Sequence, residues 1–108
     1  MKLVFVSGPY RGQAMIDIHK NIMNARTLSI KLWQRGYAVI CPHMNTAHFD
    51  GLCHDDVWLN GDLEILRRCD AIAMVDGWQD SEGAVEEYKL AVELGKEIVD
   101  TSLLFNPF

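Results

Sequence analysis

The chain lacks an excess of basic charge, a long apolar run, a paired-cysteine spacing and any internal repeat, and each absence removes a class of protein. Ten Lys and Arg stand against fifteen Asp and Glu, for a net charge of -5, so the surface offers no general attraction to a DNA or RNA backbone. Small anionic ligands survive that exclusion, because a local pocket of N–H groups with one or two cations is enough to hold them. No apolar run nears the roughly 20 residues that a membrane helix needs. Cys41, Cys53 and Cys69 are odd in number without metal-type spacing, and Met1 leads into a strand-like segment rather than a signal peptide. A reducing, cytoplasmic setting is expected. With no linkers or low-complexity tracts, residues 1–108 are expected to form one domain around a single core.

What is present is an alternation of strand and helix signals. Lys2 to Ser7 reads as a buried strand that ends at the punctuated loop Gly8-Pro9-Tyr10-Arg11-Gly12. Ile18, Ile22, Ala25, Ser29 and Leu32 recur at spacings of four and three, the stripe of an amphipathic helix stopped by Gly36. Tyr37 to Cys41 is a second strand, halted by Pro42 and followed by a long loop. A helix through Asp62, a buried strand at Ala71 to Val75, a helix capped by Asp80 or Ser81 that runs to about Leu94, and a strand at Glu97 to Val99 complete the order. Such alternation predicts an α/β fold: an open, mainly parallel sheet of four or five strands with helices on both faces, a Rossmann-like or flavodoxin-like three-layer sandwich with right-handed crossovers. Ligands in such sheets bind beyond the carboxyl ends of the strands. The cleft expected there is lined by Ser7, Tyr10, Arg11, His43, Asn45, Trp78, Ser81 and Glu87, with Asp62 entering from the neighbouring helix.

Helical spacing sorts the acidic residues. Glu86, Lys89, Glu93 and Lys96 form one solvated stripe, whereas Glu87 shares a line with Ala91 and Leu94 on the side that packs toward the sheet. Two readings of Glu87 stay open, a helix-start acid favoured by the macrodipole and a carboxylate aimed into the cleft. Asp62 falls with Trp58, Ile65, Leu66 and Cys69 on an apolar side, while Glu64, Arg67 and Arg68 fall on the wet side. If that helix begins only after Asn60-Gly61, Asp62 is a first-turn acid with a structural task; if it begins near Asp55, a functional one needs explaining. The loop from Cys41 to His54 holds three histidines and two cysteines but no Cys-x-x-Cys or His-x-x-x-His spacing, so no metal and no cofactor are expected. That loop reads as a substrate lid, with His43, Asn45 and Thr46 nearest the second strand.

The segment from Gly61 to Lys96 resembles the nucleoside 2-deoxyribosyltransferase superfamily, including its deoxynucleoside 5′-monophosphate N-glycosidase branch, and small phage and bacterial proteins of unassigned function within it. The residues that carry the resemblance are Asp62-Leu63-Glu64 ahead of a buried strand, then Ser81-x-Gly83-x-x-x-Glu87, then Ala91 four positions on. Phe5-Val6-Ser7-Gly8-Pro9-Tyr10-Arg11-Gly12 also looks like the family's first ligand-binding loop. One position departs: where relatives often carry a tyrosine in the first strand this chain has Phe5, so a tyrosine contribution falls to Tyr10 or is missing.

The resemblance implies cleavage or transfer at the N-glycosidic bond of a 2′-deoxynucleoside or its 5′-monophosphate, with Glu87 as nucleophile and Asp62 as general acid and base. A helix N-terminus would favour ionised Glu87, and burial would raise the Asp62 pKa so that it keeps a proton to transfer. Ser7, Arg11, Ser81 and N–H groups near Gly8 and Gly83 would hold a 5′-phosphate or sugar hydroxyls. Tyr10 and Trp78 are candidates to stack on the base, Trp78 equally a cap on the core. The implied partner is a small nucleoside or nucleotide, with neither a nucleic-acid polymer nor a membrane, and the chain is expected to form a homodimer or higher homo-oligomer, for which the apolar tail Leu103 to Phe108 is one candidate interface. Competing readings are a nucleotide-binding regulatory module without turnover and a ribonucleotide or NAD glycohydrolase.

Overall fold

A computed structural model describes residues 1–11, 15–47, 49 and 51–104; Gly12, His48 and the four residues after Leu104 lie outside them. Four strands, β1 (Leu3–Ser7), β2 (Ala38–Ile40), β3 (Ala71–Met74) and β4 (Glu97–Ile98), form one all-parallel sheet in the order β2-β1-β3-β4. Its connections carry α1 (Met15–Gln34), α2 (Pro42–Asn45), α3 (Asp55–Arg67) and α4 (Glu82–Glu93). The α/β three-layer fold is therefore the expected one, and the strand count is four.

The period of two along β1 and β3 divides the core. Val4 and Val6 join Ala71, Ala73 and Val75 against Ala25, Leu28 and Leu32 of α1. Phe5 joins Ile72 and Met74 on the opposite face, packed with Leu66 of α3 and Ala84 and Ala91 of α4. Strands buried on both faces explain the continuous apolar runs of the sequence. By the same alternation Ser7 shares the face of Phe5, so its hydroxyl meets α4.

Three local outcomes matter for the site. First, α3 begins at Asp55, which places Asp62 in the second turn and removes the first-turn reading. Second, the segment after β2 is not all loop: Pro42 sits at the first position of α2, where its missing N–H costs nothing. Third, Ser81 is the cap of α4, its Oγ accepting from the Ala84 N–H at 3.3 Å, after a single 3-10 turn at Trp78–Asp80. Pairing of β1 with β3 runs on past the strand ends, with the Val75 N–H donating to the Ser7 carbonyl at 2.8 Å. The chains are so close there that a Cβ on Gly8 would lie 2.5 Å from the Cβ of Val75.

Candidate active site

At the carboxyl edge of the sheet lies a cavity of about 680 Å³. Its wall is built from the loop after β1 (Gly8 to Arg11), from Pro42, His43 and Thr46, from Asp55, Trp58, Leu59 and Asp62 of α3, and from Asp80 to Ala84, Glu86 and Glu87 at the start of α4.

Glu87 is 8% exposed, and its Oε1 accepts a hydrogen bond from the Ser7 Oγ–H at 2.6 Å. Burial lifts its carboxyl to about 7; the Ser7 hydroxyl pulls the other way, and negative charge on Asp62 adds to the rise. The helix dipole does not hold Glu87 ionised, contrary to expectation: α4 begins at Glu82, so Glu87 stands beyond the first turn, where that field has faded, and desolvation prevails. Asp62 is half-buried, and burial raises it to about 6. Between about 6 and 7 the two carboxyls hold a single proton between them.

The loop after β1 is pinned from two sides. Asn21 of α1 donates through Nδ2 to the Tyr10 carbonyl at 3.1 Å. His43 of α2 lies 2.8 Å from the Pro9 carbonyl through Nε2. A carbonyl only accepts, so Nε2 carries the hydrogen, and burial lowers the His43 pKa, which leaves a neutral ring. Tyr10 meets that ring edge-on, centroids 5.2 Å apart. Arg11 and Asp55, both exposed, join across the mouth at 2.6 Å.

Of the residues expected in the cleft, Gly8, Tyr10, Arg11, His43, Ser81, Gly83, Asp62 and Glu87 do line one cavity. Ser7 stands behind the wall, fully buried, with its hydroxyl committed to Glu87, so it orients the carboxylate instead of meeting a phosphate. Trp78 is not in the wall: the 3-10 turn carries it to Tyr88, ring centroids 4.6 Å apart, beside a second, open depression near β4. Asn45 ends the single turn of α2 and is exposed away from the cavity. Glu86, read as part of the solvated stripe, is exposed yet contributes to the rim. Asp55, Trp58 and Leu59 lie seven, four and three residues before Asp62; the face of Asp62, followed back to the true start of α3, would have found them. Phe5 is a core residue with no exposure, so the tyrosine at the cavity is Tyr10. Among the described residues, no three His, Cys, Asp or Glu side chains are placed to hold a metal ion, and no helix is long and apolar enough to cross a membrane.

A four-stranded parallel sheet covered by helices on both faces is an α/β three-layer fold, and it is nucleoside deoxyribosyltransferase-like. The chain belongs to the family described as "Domain of unknown function (DUF4406)", whose model matches residues 2–100. Among solved structures it is similar to a 2-deoxyribosyltransferase from the psychrotolerant bacterium Bacillus psychrosaccharolyticus, with a TM-score of 0.63 and 19% identity over 89% of this chain and 69% of that one. No curated protein matches it.

Proposed function

We propose that the protein cleaves or transfers the N-glycosidic bond of a nucleoside, with Glu87 as nucleophile and Asp62 as acid and base. The observation that carries this reading is the pairing of a buried, Ser7-oriented carboxyl with a second, half-buried carboxyl in one cavity. The deoxyribosyltransferase fold supports it.

Cleavage at C1′ passes through an oxocarbenium-like state. The Glu87 carboxylate attacks C1′ as the C1′–N bond breaks, the bonding pair leaves with the base, and Asp62 delivers a proton to it. The sugar is then held as an ester of Glu87. Water, or the nitrogen of an acceptor base, attacks C1′ in turn; ionised Asp62 takes its proton and Glu87 is released. A raised Asp62 suits both halves of the cycle, since its proton leaves and returns near neutral pH. Tyr10, on the wall beside His43, is the residue to stack on the base. A small nucleoside as partner and assembly into a homo-oligomer belong to the same proposal.

Incubation with a panel of deoxynucleosides and ribonucleosides, with and without an acceptor base, tests it. Base release or base exchange by the wild type and its loss in Glu87→Ala are expected; equal behaviour of the two proteins would overturn the assignment.

A further inference from the structure

The charge on the cavity wall bears on which N-glycoside enters. Six carboxyl groups line it: Asp55, Asp62, Asp80, Glu82, Glu86 and Glu87. Arg11 is the one Lys or Arg among the described lining residues, and its guanidinium is joined to Asp55 at 2.6 Å. His43 adds no charge, since burial lowers its pKa and outweighs the opposite pull of its bond to the Pro9 carbonyl. The N-terminus of α4, the natural seat for an anion in such a fold, is flanked by acidic residues and has one of its N–H groups taken by its cap. Ser81 takes the Ala84 N–H, Glu82 opens the helix, and Asp80 precedes it. A phosphate placed there meets two carboxylates before it meets a free cation. The acidic groups are dispersed over the wall, with no three converging on one ion site among the described residues.

We infer that the cavity takes an N-glycoside bearing no phosphate, and that it favours a base carrying positive charge over a neutral one. The inference rests on the glycosidic reading for its substrate type, and on the wall alone for its charge. A wall on which carboxylates outnumber cations, with Asp80, Glu82 and Glu86 adding to the charge shared by Asp62 and Glu87, attracts a delocalised cation and repels a phosphate dianion. The aromatic side chains of Tyr10 and Trp58 in the same wall suit a flat cationic ring. With an N-alkylated base the chemistry balances with one change. The C1′–N pair leaves with a nitrogen that was already positive, the base departs neutral, and Asp62 need donate no proton. Glu87 still forms the ester, and ionised Asp62 still takes the proton of the attacking water.

The test separates charge from turnover. Dissociation constants for 2′-deoxyguanosine, its 5′-monophosphate and its N7-methyl derivative are measured on Glu87→Gln protein, and base release from the same three on wild type. The expected order of affinity is N7-methyl, then neutral, then monophosphate, with about tenfold or more between the nucleoside and its monophosphate, equal to about 1.4 kcal/mol. In an Asp80→Asn/Glu82→Gln variant that ratio falls several-fold toward the monophosphate. A monophosphate that binds as tightly as the nucleoside, a ratio unmoved by the double variant, or no binding of any of the three overturns the inference. The expected order without base release by wild type leaves the charge selection standing and removes the glycosidic reading.

Discussion

Replacing Ser7 by alanine isolates one interaction, because the Ser7 hydroxyl is fully buried and bonds Glu87 at 2.6 Å. A hydrogen bond to a charged group contributes about 1.5–3 kcal/mol, and one pKa unit corresponds to about 1.4 kcal/mol. The hydroxyl stabilises ionised Glu87, so its loss moves the Glu87 pKa upward, by roughly one to two units above about 7. Asp62 near 6 is not bonded to Ser7 and keeps its place. Wild type should therefore give a bell-shaped rate profile with its maximum between about 6 and 7. In Ser7→Ala, the one-proton state with Glu87 ionised becomes roughly ten- to a hundredfold rarer. The maximum of kcat falls by that factor, and the basic limb moves up by about one to two units. Base release followed spectrophotometrically against pH reads both quantities, and Ser7→Thr, which keeps the hydroxyl, should restore the limb. A uniform drop with both limbs unmoved would refute the orienting role and leave Ser7 a packing residue.

Glu87 also sets a stability trend. Its folded pKa lies above the ordinary value of 4.5, so between about 4.5 and 7 the folded state binds more protons and stability falls as pH rises through that window. Thermal melts should show wild type losing up to about 3 kcal/mol between pH 5 and 8 from this group, and Glu87→Gln losing correspondingly less; parallel curves would contradict the burial cost. Gly8→Ala should cost about 1–3 kcal/mol by overpacking, since the new methyl meets the Cβ of Val75 at 2.5 Å; chemical denaturation of Gly8→Ala with and without Val75→Gly, which removes that Cβ, reads the coupling, and additive effects would deny the contact. Arg11→Ala should change stability by less than about 1 kcal/mol, because its pair with Asp55 is solvent-exposed, a loss above about 2 kcal/mol in the same assay being inconsistent with that exposure.

The two central strands are legible in the sequence because they are buried on both faces and therefore appear as unbroken apolar runs with a glycine just beyond, Val4 to Ser7 before Gly8 and Ala71 to Val75 before Gly77. Glu87 and Asp62 could be singled out because helix periodicity places each among apolar residues, whatever the tertiary arrangement. Trp78 could not be placed: a strand-end aromatic serves a cleft or a core equally well by pattern, and here a three-residue 3-10 turn carries it onto Tyr88. The protonation of Glu87 is likewise not legible in the local pattern. With Ser81 as the cap Glu87 is the sixth residue of α4, past the reach of the dipole, and the burial that raises its pKa comes from the tertiary arrangement. The partnership of Ser7 with Glu87 joins positions 80 residues apart, a distance that local pattern does not bridge.

Everything proposed for the site turns on Glu87 bonding to the sugar. A 2′-fluorinated nucleoside, whose fluorine disfavours positive charge at C1′ and so slows release of the ester, should leave a covalent sugar adduct on the Glu87 peptide by mass spectrometry, abolished in Glu87→Gln. Release of base from ordinary nucleosides without any such adduct, and with Glu87→Ala as active as wild type, would contradict the assignment of Glu87 as nucleophile.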